Sequence, residues 1–234
     1  MPKISNERLS EIFMNVGKDY GYEEINAEFL PFRVFNIKWS RTDTSAYFRV
    51  SDYLEDEPEE VLEVLAEGLF SRMHYGSDVH LSTIVHQIST PEFAERKQPK
   101  YLRRLVGITK TPQGEFKNLN DSIARLKEQG LLSDEDIRGV FLAWLKVVNA
   151  NEIGNTSALM KVVSISKMLD SDAVPDFVLD YAVYHEMCYI KLGLESSGIV
   201  HEKKFAALEE KYEKKDEAKE RLKRLCQSSF HDAV

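Results

Sequence analysis

One short stretch of the chain carries residue types spaced for chemistry: His185-Glu186-Met187-Cys188-Tyr189, with His201 further on. Two histidines at positions i and i+4 of a helix can hold Zn²⁺ through neutral imidazoles, and a glutamate directly after the first can polarise a metal-bound water. His185 and Glu186 fit the first ligand and the general base. The i+4 position is Tyr189, and a phenol with a pKa of about 10 binds zinc poorly near neutral pH unless the metal drives its deprotonation. Gly193 ends the helix, Ser196-Ser197-Gly198 turns the chain, and His201 starts the next helix, from which its ring could return to His185. The expected metal set is therefore His185, His201 and Tyr189, with Glu186 as catalytic base. Glu195 is a nearby carboxylate that could complete the shell, and zinc is expected to be weakly held or absent. The competing reading of the same dipeptide is a hydrogen-bonded His-Glu pair in a core.

The element that must position these groups is apolar almost all round from Phe177 to Ile190, with Asp180, His185 and Glu186 as exceptions, so it reads as a central buried helix. Charge buried there needs partners, and a divalent metal is one way to supply them. The other candidates are weaker. Cys188 reads as a packing residue, and with Cys226 as the only other cysteine neither a disulfide framework nor a zinc ribbon can be built. His74, His80, His86 and His231 lack an accompanying ligand pattern and read as surface or capping residues.

Further from the motif, the chain reads as two related halves. Ser5 caps a helix over residues 6–16 that Gly17 closes, Phe32 to Ser40 and Ala46 to Val50 read as strands, and Pro58 starts an amphipathic helix. The second half repeats this helix, strand, strand, helix order. Asn118 caps a helix ending near Gly130, Val140 to Val148 is an apolar run, Leu159 to Ser166 alternates, and Pro175 opens another helix. Periodicity leaves Val140 to Val148 open, because Ser133-Asp134-Glu135-Asp136 could cap a helix running into it. The local text matches as well: Pro58-Glu59-Glu60-Val61-Leu62-Glu63 beside Pro175-Asp176-Phe177-Val178-Leu179-Asp180, and Gly76 beside Gly193. This suggests a tandem duplication of about 117 residues. The alternative is two proline-initiated helices that look alike because helix starts share a chemistry. Where the second half has His185 and Glu186, the first has Gly68 and Leu69, so only the second carries the reactive pair. The linking segment, with expected helical stretches at Leu81 to Ser89 and Tyr101 to Val106, puts the boundary near Gly114: residues 1–114 and 115–234.

Composition narrows the classes of function. A formal charge of -8 and a pI near 5.4 argue against nucleic acid as a primary partner, and the mixed charges of Lys203 to Arg224 read as a solvated helical face. No apolar run is long enough to span a membrane and Met1 to Glu7 lacks a signal-peptide stretch, so a cytoplasmic location is expected.

Taken together, Leu169-Asp170, Val174-Pro175, Val178-Leu179-Asp180-Tyr181, Tyr184-His185-Glu186-Met187, His201 with Phe205, Glu209, Ala218 and Leu222 resemble the SprT-like and YgjP-like zinc metallopeptidases, over roughly residues 116–226. The resemblance implies an α+β, zincin-like fold with a mixed sheet and a buried active-site helix. It also implies His185 and His201 as ligands and Glu186 as general base. Nothing in it transfers to Tyr189, where the motif is HExxY instead of HExxH. It further implies that strand 159–166 is the sheet edge beside the cleft, where a peptide or protein partner could add as a strand. Three readings follow: a zinc-dependent peptide hydrolase of weak or lost activity, a non-catalytic pseudopeptidase serving as an interaction scaffold, and an unrelated mixed α and β protein with a chance His-Glu pair.

Overall fold

A computed structural model describes residues 2–76, 84, 87–147, 152–194 and 199–231, with the backbone alone at 199–201 and 228–231. The chain divides into two compact units, Met1–Thr90 and Pro91–Val234. Both mix helices with one small three-stranded sheet, so the fold is α+β. Among the described residues no helix is long and apolar enough to cross a membrane.

In the first unit, helix α1 (Asn6–Gly17) starts at Ser5, whose hydroxyl accepts the Arg8 N–H at 3.2 Å. Strands β1 (Glu24–Leu30), β2 (Ile37–Arg41) and β3 (Ser45–Ser51) follow, in the order β1-β3-β2. β1 runs parallel to β3 with Glu24 opposite Ser45, and β2 runs antiparallel to it. Alternation buries Ile25, Ala27, Phe48 and Val50 and leaves Glu24, Asn26 and Arg49 exposed. Phe48 lies 4.8 Å from the Phe13 ring of α1 and 5.1 Å from Phe70 of helix α2 (Glu59–Tyr75), which joins sheet and helices into one core.

The second unit begins with α3 (Pro91–Arg104), α4 (Leu119–Glu128) and the short α5 (Asp134–Ile137). Strands β4 (Phe141–Leu145), β5 (Gly154–Ser157) and β6 (Val162–Ser166) come next, then α6 (Asp176–Leu192), α7 (Ile199–Glu209) and α8 (Lys215–His231). The sheet order is β4-β6-β5, with β4 parallel to β6, Phe141 opposite Val162, and β5 antiparallel. The apolar run after Val140 is thus a strand: Ser133 and Asp136 form a capping box, but Gly139, at φ 72°, ends that turn before the run begins. Residues 91–114 belong here, which moves the boundary ahead of Gly114. Gln98 Nε2 donates to the carbonyls of Gly139 and Met160, both at 2.9 Å, and Thr109 N–H donates to Trp144 O at 2.8 Å.

Each unit therefore runs helix, three strands, helix, one strand more than the sequence reading. β1 was legible in the alternation of Ile25, Ala27 and Phe29. The polar β5, Gly-Asn-Thr-Ser, has no apolar period to show it. Phe32 to Phe35 is not strand; the paired segment starts at Ile37. Most of the helix expected at Leu81 to Ser89 lies outside the described residues.

The partner strand needs a correction. Residues 162–166 form the central strand, hydrogen-bonded on both sides and buried at every position. A strand with both ladders filled cannot accept a third. The edges of this sheet are β4 and β5, and β4 already pairs outward with Gly107 and Thr109 through backbone bonds at 2.9 and 2.8 Å.

Candidate functional site

Helix α6 begins after Pro175, which supplies extended backbone at the N-cap, and ends at Gly193, whose φ of 66° suits a residue without Cβ. Val178, Leu179, Tyr181, Ala182, Val183, Tyr184, Met187 and Cys188 are all buried, so the helix has core on most of its circumference as its sequence demands. It packs on β5, β6 and α4, and on α7 and α8.

His185 and Glu186, neighbours in sequence, point to different walls, as the roughly 100° step between consecutive helical residues requires. His185 Nδ1 bonds Glu209 Oε1 of α7 at 2.8 Å. The same oxygen accepts from Tyr181 Oη at 2.6 Å, and Lys219 Nζ of α8 donates to Oε2 at 2.7 Å. Burial alone would raise the Glu209 carboxyl, yet the Lys219, Tyr181 and His185 hydrogen bonds outweigh it and hold it at about 2. Glu186 turns instead to the sheet. It is 4% exposed, Thr156 Oγ1 of β5 donates to its Oε2 at 2.7 Å, and a Cβ at Gly154 would lie 2.6 Å from its Cγ. Burial pushes the Glu186 carboxyl up, against the opposing pull of Thr156 and His185.

Tyr189 is 37% exposed. Its ring packs against Phe205 of α7 at 4.5 Å and edge-on to His185 at 5.7 Å. Burial, then the charges of Glu186 and Glu209, raise its phenol, so deprotonation is harder than in water. Cys188 is buried and its thiol is pushed up to about 12 by that burial, which suits a packing residue and no reactive role. His201 lies in the first turn of α7 with its side chain outside the described residues, as is Glu195. His80 and His86 also lie outside them, as does the side chain of His231; His74 sits edge-on between Tyr20 and Tyr75.

Three of the described groups are engaged elsewhere: Glu209 pairs with the Lys219 ammonium, Glu186 faces the sheet under Thr156, and the Tyr189 phenol is raised by burial. His185 bonds Glu209 through Nδ1, a contact that leaves Nε2 as its ligand atom. Among the described residues no group of three His, Cys, Asp or Glu side chains is placed to hold a metal. What the arrangement does is satisfy buried polar groups: one carboxylate shared by imidazole, phenol and ammonium, the other by a hydroxyl. The sequence reading left Thr156, Gly154 and Lys219 without a role; Tyr181, one helical turn before His185, was the one signal for this network.

Two further carboxylates organise the unit. Arg125 of α4 grips Asp180 of α6 with Nε to Oδ2 at 2.8 Å and Nη2 to Oδ1 at 2.7 Å, and Asp180 is buried. Asp170, which closes the helical turn Lys167–Leu169 after β6, accepts the backbone N–H groups of Glu115, Phe116 and Lys117 at 2.7, 3.0 and 2.9 Å. No family model, no curated protein and no solved structure matches the chain.

Proposed function

We propose that this is a metallopeptidase-like protein without hydrolytic activity, in which two duplicated units form an interaction scaffold. The carrying observation is the way the motif helix is filled: His185 is bonded into the Glu209–Tyr181–Lys219 cluster, and Tyr189 packs on Phe205 where a second ligand would stand. Duplication is supported by matched details. Both units pair their first and third strands in parallel with the same separation along the chain. Both follow the central strand with Ser-x-x-Leu, at Ser51 to Leu54 and Ser166 to Leu169, and both then run a 17-residue helix from Pro to a positive-φ Gly. A partner strand would use β5, the edge that borders Glu186.

The test is metal content and peptide hydrolysis of the purified chain resupplied with Zn²⁺. Wild type is expected to hold well under one equivalent and to leave an unstructured peptide intact, while Tyr189→His gains affinity. One equivalent in wild type, with cleavage lost in Glu186→Gln, overturns the reading in favour of a zinc peptidase. Unchanged affinity in Tyr189→His removes the idea of a vacated ligand position.

A further inference from the structure

The first unit treats the two edges of its sheet differently. α1 closes the β1 edge: Ser10 Oγ donates to Ala27 O at 2.9 Å and accepts the Ala27 N–H at 3.0 Å, and Asn6 Oδ1 accepts the Phe29 N–H at 2.9 Å. β2 has no such cover among the described residues. Beside the turn to β3, Thr42 N–H donates to Ser45 O at 2.8 Å, and antiparallel strands bond at every second residue from there. Ser40 and Lys38 therefore bond Tyr47 and Arg49, their register partners, and the backbone groups of Ile37, Trp39 and Arg41 point away from the sheet. Such an open ladder is filled by water or by another extended backbone.

The side chains of β2 specify the chemistry of that backbone. From Phe29 to Thr42 the chain, whose net charge is -8, has no acid and three cations, Arg33, Lys38 and Arg41, all exposed. Lys38 and Arg41 have neutral neighbours: Lys38 Nζ lies 5.9 Å from the Phe32 ring centre, and Arg41 Nη1 donates to the Tyr22 hydroxyl at 3.2 Å. Glu28, on β1, is held by Tyr47 and Arg49. Alternation sets Ile37 and Trp39 opposite the core residues Val50 and Phe48, yet Trp39 is 39% exposed. A strand laid along β2 would cover an indole on one face and meet an ammonium on the other. A nucleic acid could answer the cations but has no peptide ladder, and β2 of a second copy would bring the same cations to the same edge.

We propose that β2 is a docking edge for an extended segment of a partner protein in which acidic and apolar residues alternate, with the acids beside Lys38 and an apolar side chain over Trp39. The assignment goes beyond the reading of the motif helix, uses a different sheet from β5, and stands whether or not the second unit binds zinc.

The experiment is an NMR titration of the full chain with capped Glu-Val-Glu-Val-Glu, the same peptide N-methylated at every residue, capped Lys-Val-Lys-Val-Lys, and a single-stranded thymidine oligonucleotide. The acidic peptide is expected to give saturable shifts at Ile37, Trp39 and Arg41. The methylated peptide, which keeps the charge and loses the ladder donors, and the basic peptide should each bind about tenfold more weakly or worse. Lys38→Glu, a change at an exposed position that should keep the unfolding midpoint, is expected to weaken the acidic peptide by a similar factor. Absence of saturable shifts, shifts confined to Gly154–Ser157 of β5, equal binding of the methylated or the basic peptide, or unchanged affinity in Lys38→Glu overturns the proposal. An oligonucleotide that binds these residues as tightly as the acidic peptide overturns the assignment of a protein partner.

Discussion

The two units share a topology and a strand register, and they differ in what the last long helix buries. At one matched position α2 has Leu69, 2% exposed, and α6 has Glu186, 4% exposed. The fold demands a buried side chain there in either case, and only the chemistry changes. The second strand of each sheet differs as well: β2 has Ile37 and Trp39 where β5 has Gly154 and Thr156, each opposite the matching positions of the central strand, and among the described residues only β5 packs against its unit's last long helix. A carboxylate can lie under β5 because glycine leaves room for it and threonine donates to it. Both units tie the first long helix to the last with an arginine on a carboxylate, but Arg8 on Glu59 lies at the surface, with bonds of 2.9 and 2.6 Å, whereas Arg125 grips the buried Asp180. The same topology thus carries an apolar side chain at this position in one unit and a hydrogen-bonded carboxylate in the other, whose core is otherwise apolar.

Removing one partner of the buried pair is the largest perturbation of this contrast. Asp180→Ala strands the Arg125 guanidinium beside a core and is expected to cost about 3 kcal/mol in denaturant unfolding, whereas Glu63→Ala at the matched position leaves the midpoint unchanged. Equal effects at the two sites would break the comparison. Next, Gly154→Ala pushes a methyl into the Glu186 side chain and is expected to cost about 2 kcal/mol. Adding Glu186→Ala should recover part of that loss, and purely additive costs would show that the two residues do not share the space.

Two acids of the second unit should bend the pH profile in opposite directions. Glu209 is held at about 2 in the fold, so its stabilisation is full above the ordinary carboxylate value of about 4.5 and is lost as pH falls towards about 2. Glu209→Gln should flatten that acid limb. Glu186 is raised by burial, so its ionisation opposes folding, and stability falls as pH rises from the ordinary value through the raised one. Glu186→Gln should remove that fall, and a profile unchanged by either variant would count against both assignments. The smallest effect is expected from Tyr212→Phe, which removes the bond from Tyr212 Oη to Phe177 O at 2.7 Å and should cost about 1 kcal/mol by thermal unfolding.

Much of this molecule could be read before folding it. Ser5, Asn118, Pro58 and Pro175 mark helix starts by local chemistry, Gly76 and Gly193 mark helix ends, and the near-continuous apolar run around His185 announces a buried helix. The polar β5 was invisible because strand signals are apolar alternations. The role of strand 162–166 was misread because an edge and a centre differ in their neighbours, which no local pattern records. The candidate site shows the same division. Sequence alone established that His185 and Glu186 sit in a core helix and must find partners. Which partners they find, Glu209, Tyr181 and Lys219 on one wall and Thr156 over Gly154 on the other, was decided only by the tertiary structure. A helix turns its side chains about 100° per residue, and the walls it meets come from segments distant along the chain.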